Sequence, residues 1–474
     1  MASGADTLEV TPRQLRWTVR GLMLGLFCGI LSGTVVAVAL PRVVADLGGG
    51  QAAYTWVVSA NLLASTVSIP VWGGLADRAG RRALTLLALA VFAAGSALCG
   101  AAPDVLTLVA CRAVQGIGAG GVTAMAQVML AAAAGPRERG RYNGHFALVM
   151  AAGTVAGPPV GGLLAEAPGL GWRWCFLIGL PFAAAAALAL GRAPRLPAPA
   201  RRGPVDLAGA VLVTGSAGLL VGWASAAGDG FAWLSWQSAA LAGGGLVLAV
   251  LFARHAARAA DPLVPVRLLA GRTVAAAGVA CLAVGTAVFA APVLLGQYFQ
   301  LARGHSPAVA GLLTLPMVAG MLVATTVTGR LTAATGRWKR YLVLGCALLA
   351  LGFALMGAGA GRAPLWVLVL AMLAGGAGAG LAAQPLLLAV QTAVPEARLG
   401  AASALVVFCR ALGGTFGVSA LGALLAARLT AHLDGGAGTE AAYTAAFGEV
   451  FAWAAPVGLL ALACALLMRE TPLR

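Results

Sequence analysis

Arg112, Gln115, Thr123 and Gln127 stand at spacings of 3, 8 and 4 in an otherwise apolar stretch, which sets them on one face of a helix. A guanidinium inside such a helix donates to carbonyls and amides, attracts an anion, or answers the charge of a neighbour. A second arginine, Arg410, follows Ser403 by seven residues, and Gln384 and Gln391 are also seven apart. Asn61, Ser65 and Ser68 form a milder polar stripe. These neutral groups suit either helix packing or the lining of a polar cavity. Acids are scarce: Glu166 and Asp206 flank apolar runs, and Glu449 lies inside one. His145, early in another run, is of a type that titrates near neutral pH, although a packing or interfacial role is the simpler expectation.

Other chemistries lack their residues. The histidines His145, His255, His305 and His432 are scattered without metal-ligand spacing, and the eight cysteines form no C-x-x-C pair. No metal, cofactor or catalytic set is expected, and the chain does not read as an enzyme. Lys339 is the only lysine, so no phosphate loop and no ATP-binding domain are expected.

The elements that carry these residues are membrane spans. The chain has 474 residues, 60% of them apolar and 10% charged, with a mean hydropathy of +0.92. Apolar runs of about 17 to 28 residues are expected near 19–40, 54–75, 84–102, 105–131, 141–165, 173–191, 206–226, 236–253, 273–299, 306–328, 340–360, 364–390, 399–427 and 443–468. The fold class is therefore all-α integral membrane, with fourteen spans. The net charge of +16 forms no compact basic domain for nucleic acid. Most of the Lys and Arg fall to one side of the spans, which predicts a multi-pass protein of the cytoplasmic membrane with both termini cytoplasmic.

Pro- and Arg-rich connections after residue 191 and before residue 273 bracket spans seven and eight. The expected organisation is a six-helix bundle over 1–192, a two-helix insert with its linkers over 193–272, and a second six-helix bundle over 273–474. Echoes at a common offset support duplication: "GGLADRAGRR" from Gly73 returns as "GRLTAATGRW" from Gly329, "GIGAGG" from Gly116 as "GAGAGL" from Gly376, and "GTVAGPPVGG" from Gly153 as "GTFGVSALGA" from Gly414. Two bundles of like topology imply a pseudo-two-fold axis along the membrane normal and a central cavity.

Within the first decapeptide, Arg78, Arg81 and Arg82 serve orientation, but Asp77 does not. Gly73 and Gly80 look placed for close helix approach around a tight turn. An ion-pair latch that forms in one rocked state is expected here. Gly153, Gly157, Gly161 and Pro158, with Gly162 and Pro159, predict close helix packing and a bend that acts as a hinge.

The chain resembles the major facilitator superfamily, and within it the fourteen-spanning drug:proton antiporters. "GGLADRAGRR" matches that superfamily's motif A, "RAVQGIGAGG" its motif B, and "GTVAGPPVGG" its antiporter motif C. The resemblance implies alternating access, with efflux of a hydrophobic small molecule, a drug, antibiotic or natural product, across the bilayer in exchange for protons. It also implies that motif A ion pairs favour the outward-open state and that Arg112 is linked to proton transfer. One departure stands out: where the family commonly has a span-one aspartate, this chain has Ser32, two residues before Thr34. Glu449 is then the best-placed remaining proton carrier, and an interior with Arg112 and Arg410 favours neutral or anionic compounds. A proton-uncoupled exporter is the alternative, followed by a non-transporting sensor of the same fold.

Overall fold

The structure is a computed structural model that describes residues 11–76, 80–133, 136–167, 171–193, 206–226, 231–232, 234–259, 262–361, 363–395 and 399–470. A helix satisfies its backbone amides within one segment, as hydrocarbon demands, and nearly every described residue is helical. In chain order the helices are α1 (Pro12–Asp46), α2 (Gln51–Ala76), α3 (Arg81–Gly100), α4 (Val105–Ala133), α5 (Pro136–Glu166), α6 (Arg173–Leu177), α7 (Gly179–Gly191), α8 (Leu207–Ala226) and α9 (Trp236–Arg258), then α10 (Arg272–Gln297), α11 (Pro307–Leu313), α12 (Leu315–Thr335), α13 (Lys339–Gly359), α14 (Leu365–Thr392), α15 (Leu399–Asp434) and α16 (Thr439–Leu467).

Thirteen segments among the described residues are long and apolar enough to cross a membrane, with α6–α7 and α11–α12 each forming one. The fourteenth expected span corresponds to α5, which has 31 residues but is not among the thirteen. Its first turns carry Arg137, Glu138, Arg139 and Arg141. Several helices outrun their expected spans. At about 1.5 Å per residue, the 36-residue α15 is some 54 Å long, against a hydrocarbon core of about 30 Å. Polar ends are invisible to an apolar count, and α1 begins early because Thr11 caps it, its Oγ1 accepting from Gln14 N (3.3 Å) while Gln14 Oε1 accepts from Thr11 N (3.1 Å).

The packing repeats as the sequence does. In the first half, α4 lies against α2 and α3; in the second, α14 lies against α12 and α13. Gly116 and Gly120 bring α4 onto the carbonyls of Asn61 and Ser65, and Gly376 and Gly380 bring α14 onto those of Met317 and Met321. A methyl group at any of the four would strike backbone. Likewise α5 packs on α1 and α15 on α10, with Thr34 Oγ1 donating to Gly153 O (3.2 Å) and Thr286 Oγ1 to Gly413 O (2.9 Å).

The hairpin α8–α9 is closed by Ser216 Oγ donating to Gly245 O (3.0 Å) and Trp223 Nε1 to Ser238 Oγ (2.7 Å). It is more than an appendage: α8 packs against both α2 and α15, across the line where the halves meet.

That seam is held at one end. Ser59 and Ser419 hydroxyls are 2.7 Å apart, Thr66 and Thr415 hydroxyls 3.3 Å, and Gln297 Nε2 donates to Gln51 Oε1 (3.1 Å). Gln300 Nε2 reaches Val38 O (2.9 Å), Gly162 meets Ala308, and Gly311 meets Pro158. Apart from the Thr66–Thr415 pair, which lies near the middle of α2 and α15, these contacts fall in the half of the molecule away from the start of α1 and the end of α16. The bundles are joined on the face opposite the termini.

Candidate functional site

Of the expected α4 stripe, Arg112 and Gln115 form a buried network, whereas Thr123 is exposed and donates to Ala119 O (2.9 Å) of its own helix. Arg112 is 4% exposed; its Nε donates to Val57 O (3.3 Å), a further guanidinium N–H donates to Gln115 Oε1, and Phe176 lies 6.0 Å from it. Gln115 Nε2 in turn donates to Ser96 Oγ (2.7 Å) and Ser32 Oγ (3.2 Å), and Asn61 Nδ2 donates to Arg112 O (3.1 Å). Close approach makes this possible, because Gly95 of α3 sits against the Gln115 backbone. Sequence spacing identified Arg112, Gln115 and Asn61 but missed Ser96 and the Val57 carbonyl. An isolated serine in an apolar run is the only signal for the former, and a backbone acceptor leaves none. No carboxylate joins the network among the described residues. An arginine at membrane depth costs about 2.5 to 3.5 kcal/mol on the insertion scale, so these hydrogen bonds are the main compensation for its burial.

Ser32 is therefore not merely a missing acid. It touches the amide that holds Arg112.

Arg410 is separate. It lies on α15, five residues beyond Thr415 toward the terminal face, and is partly buried with no hydrogen-bond or ion-pair partner among the described residues. Its backbone carbonyl packs on Gly285 of α10. An unpaired guanidinium in a spanning helix must face water or a ligand rather than lipid. Gln384 is exposed, whereas Gln391 Nε2 donates to Ser403 Oγ (2.9 Å) and ties α14 to α15. The side chains of Gln127, His145 and Glu166 lie outside what the structure describes.

The motif A hairpin corrects one expectation. Asp77 and Arg78 lie outside the described residues, but Gly73 and Gly80 do not: a methyl group at either would meet nothing within 4 Å. Gly80 has φ −62°, open to any residue. Among the described residues, no close approach is made at these two glycines in this arrangement. Arg82 is engaged within its own bundle, donating to Ala193 O (3.0 Å) and Gly191 O at the end of α7, and Arg81 Nε is buried with no hydrogen-bond partner among the described residues.

The glycines of α5 pack closely. A methyl group at Gly157 would run into Thr34 and one at Gly161 into the Val35 carbonyl; Gly153 lies against Ile30. The prolines do not interrupt the helix: α5 is continuous through Pro158 and Pro159. Its last turns face two ways, toward α1 and, through Pro158 and Gly162, toward α11 of the other bundle.

Glu449 is not brought near Arg112 or Arg410. It lies on α16, which packs against α10, α13 and α15, and its oxygens accept from Arg428 Nε (3.1 Å) and His432 Nε2 (2.9 Å). Asp206 is likewise occupied in holding the insert. Its carboxylate accepts from Gly209 N (2.8 Å), Leu263 N (3.3 Å) and His255 Nε2 (2.7 Å). Burial raises its pKa, but those hydrogen bonds and the histidine outweigh it and leave Asp206 below the ordinary carboxylate range.

Residues 22–418 match the model of the Major Facilitator Superfamily. The chain belongs to that superfamily. Relatives include an uncharacterised MFS-type transporter of Mycobacterium tuberculosis strain H37Rv, 34% identical over 99% of this chain and 72% of its own length. The multidrug transporter protein MdtP of Bacillus subtilis is 32% identical over 86% of this chain and 75% of its own. The efflux pump FUS6 of Gibberella fujikuroi is 31% identical over 84% and 73%. Among solved structures, a bacterial homolog of the human lysosomal transporter Spinster, in an inward-facing and unoccupied conformation, superposes with a TM-score of 0.71 at 14% identity, covering 98% of this chain and all of that one. This is a multi-pass membrane transporter with efflux pumps among its relatives.

Proposed function

We propose that this protein is a secondary active exporter of hydrophobic drugs, antibiotics or natural products. It works by alternating access across the cytoplasmic membrane in exchange for protons, as a member of the fourteen-spanning drug:proton antiporter branch. Efflux pumps among the relatives support the direction of transport. The motif B and motif C segments, built here into the Arg112 network and the α1–α5 packing, support the branch. With the termini cytoplasmic, the seam joined on the opposite face corresponds to an inward-facing arrangement, in which rocking would close the motif A hairpin and form the latch through Asp77, Arg78 and Arg81.

The observation that carries the substrate class is the charge of the interior. Among the described residues, two arginines and no acid stand near the seam at membrane depth, with Arg410 unpaired. Such an interior favours anionic or neutral apolar molecules and penalises cations. Arg112, linked to Ser32 through Gln115, and Glu449 are the candidates for proton coupling; Asn61, Gln384, Arg410 and Gln127 are the candidates for substrate contact.

Export of anionic, neutral and cationic hydrophobic compounds from cells tests the reading, with wild type compared with Ser32→Asp, Arg112→Ala and Glu449→Gln, before and after collapse of the proton gradient. Wild-type export of neutral or anionic compounds stops when the gradient collapses, and Ser32→Asp shifts preference toward cations by tenfold or more. Export that runs only down a concentration gradient and survives collapse identifies a facilitator instead.

A further inference from the structure

Glu449 has both carboxylate oxygens engaged by one neighbouring helix. Arg428 and His432, four residues apart on α15, point from the same face, with Nε–Oε2 at 3.1 Å and Nε2–Oε1 at 2.9 Å. The three side chains are 33% to 43% exposed, and pairs this wet contribute little to static stability. Their arrangement therefore calls for another explanation.

Glu449 also borders an open hollow of about 890 Å³, lined by Gly357 of α13, by Ala360 just beyond it, and by Glu440, Thr444 and Gly448 of α16. The hollow lies on the face opposite the termini. Water reaches the carboxylate from that side. A proton added to Glu449 would weaken its bonds to both donors, whereas a proton taken up at His432 Nδ1 leaves the Nε2–Oε1 hydrogen bond in place and makes it charge-assisted. Imidazole is also the side chain whose unperturbed charge change falls between about pH 5 and 8.

The surroundings support a charged imidazole. His432 stands in the last turn of α15, where the helix end favours a cation; Asp434 follows it by two residues and Glu440 lines the hollow. The chain after α10 brings Arg303, but that guanidinium is occupied by Tyr298 Oη (2.7 Å), Ala360 O (3.2 Å) and Ala363 O (3.3 Å). His305 there lies against Phe299, and α2 offers the neutral Gln51 and Tyr54. On α16, Tyr443 stacks on Phe447.

We propose that His432 is a proton-binding site served from the face opposite the termini, whose charged form clasps Glu449 and holds α15 against α16 in the arrangement seen here. The consequence passes along α15, because the same helix carries Thr415 and Ser419, which join the seam with α2. Protonation on that side thus favours the closed seam. The proposal deepens the proton-exchange reading by moving the proton off Glu449: the carboxylate is the fixed counter-ion, and the imidazole takes up the proton.

Backbone hydrogen exchange tests it without a transport substrate. The full-length protein in lipid nanodiscs is labelled between pH 5.5 and 8, with times scaled for intrinsic exchange, and peptides spanning 425–452 are compared with peptides from α3. Wild type shows about threefold greater protection of 425–452 at the acidic end, lost as the pH rises. His432→Gln and Glu449→Gln both flatten the profile, and His432→Lys keeps the acidic behaviour at pH 8. A flat wild-type profile, or a pH dependence that persists in His432→Gln, overturns the proposal. Failure of the export assay with this titration intact would count against proton-driven efflux alone.

Discussion

The two bundles agree where backbones meet and disagree where side chains could do chemistry. At the start of the third helix of each, a basic residue holds the last carbonyls of the sixth: Arg82 binds Gly191 and Ala193, and Lys339 Nζ binds Leu466 O (3.0 Å) and Met468 O. Thr34 and Thr286 donate alike to glycine carbonyls of the fifth helices. The polar interiors diverge. The position corresponding to Arg112 in the second half is Met372, and that to Gln115 is Gly375. The second bundle instead carries its arginine on α15. A duplicated chain must keep the small residues and capping cations that let helices approach, because each is fixed by backbone. Its cavity groups answer to a ligand that need not be symmetric.

The largest effects should come from the shared devices. Gly157→Leu and Gly413→Leu each force a side chain into a facing helix, and each should cost about 3 kcal/mol or more. Loss of monodisperse protein on size exclusion, or a much lower melting temperature, checks both. Severe damage from only one would break the equivalence of the α1–α5 and α10–α15 pairs.

The arginines sharpen the contrast. Arg112→Leu strands Val57 O and the Gln115 amide and should destabilise by about 1 to 3 kcal/mol. Arg410→Leu removes no protein hydrogen bond and should stay within about 0.5 kcal/mol, while lowering export of an anionic probe tenfold relative to its neutral ester. Equal stability losses would place Arg410 in packing rather than at the substrate.

The smallest effect is the cap. Arg82→Ala and Lys339→Ala each remove charge-assisted bonds at a partly exposed helix end, and each should cost about 1 kcal/mol. Similar shifts in thermal melts would support a common origin for the two caps, and a cost confined to one would reject it.

Much of this was legible in the residues. Glycine spacing located the close helix contacts, and apolar runs located most helices, although polar ends hid the full length of α1 and α15 and charge at the start of α5 left its span in question. Arg112 and Gln115 were visible as a stripe, but their acceptors at Val57, Ser96 and Ser32 come from three other helices and share no spacing with them. Gly73 and Gly80 misled for a related reason: a glycine marks where approach is permitted, not whether it occurs in a given arrangement.

What the sequence determined by itself is set by the solvent. In hydrocarbon, each span must satisfy its own backbone, so helices, their approximate limits and the repeat follow from local composition. The tertiary structure decided which polar groups are spent and which are free. Glu449 reads as a lone acid until α15 brings Arg428 and His432 to it, and Arg410 resembles Arg112 until only one of them finds partners. Those outcomes depend on contacts between residues distant in the chain, and local spacing carries no record of them.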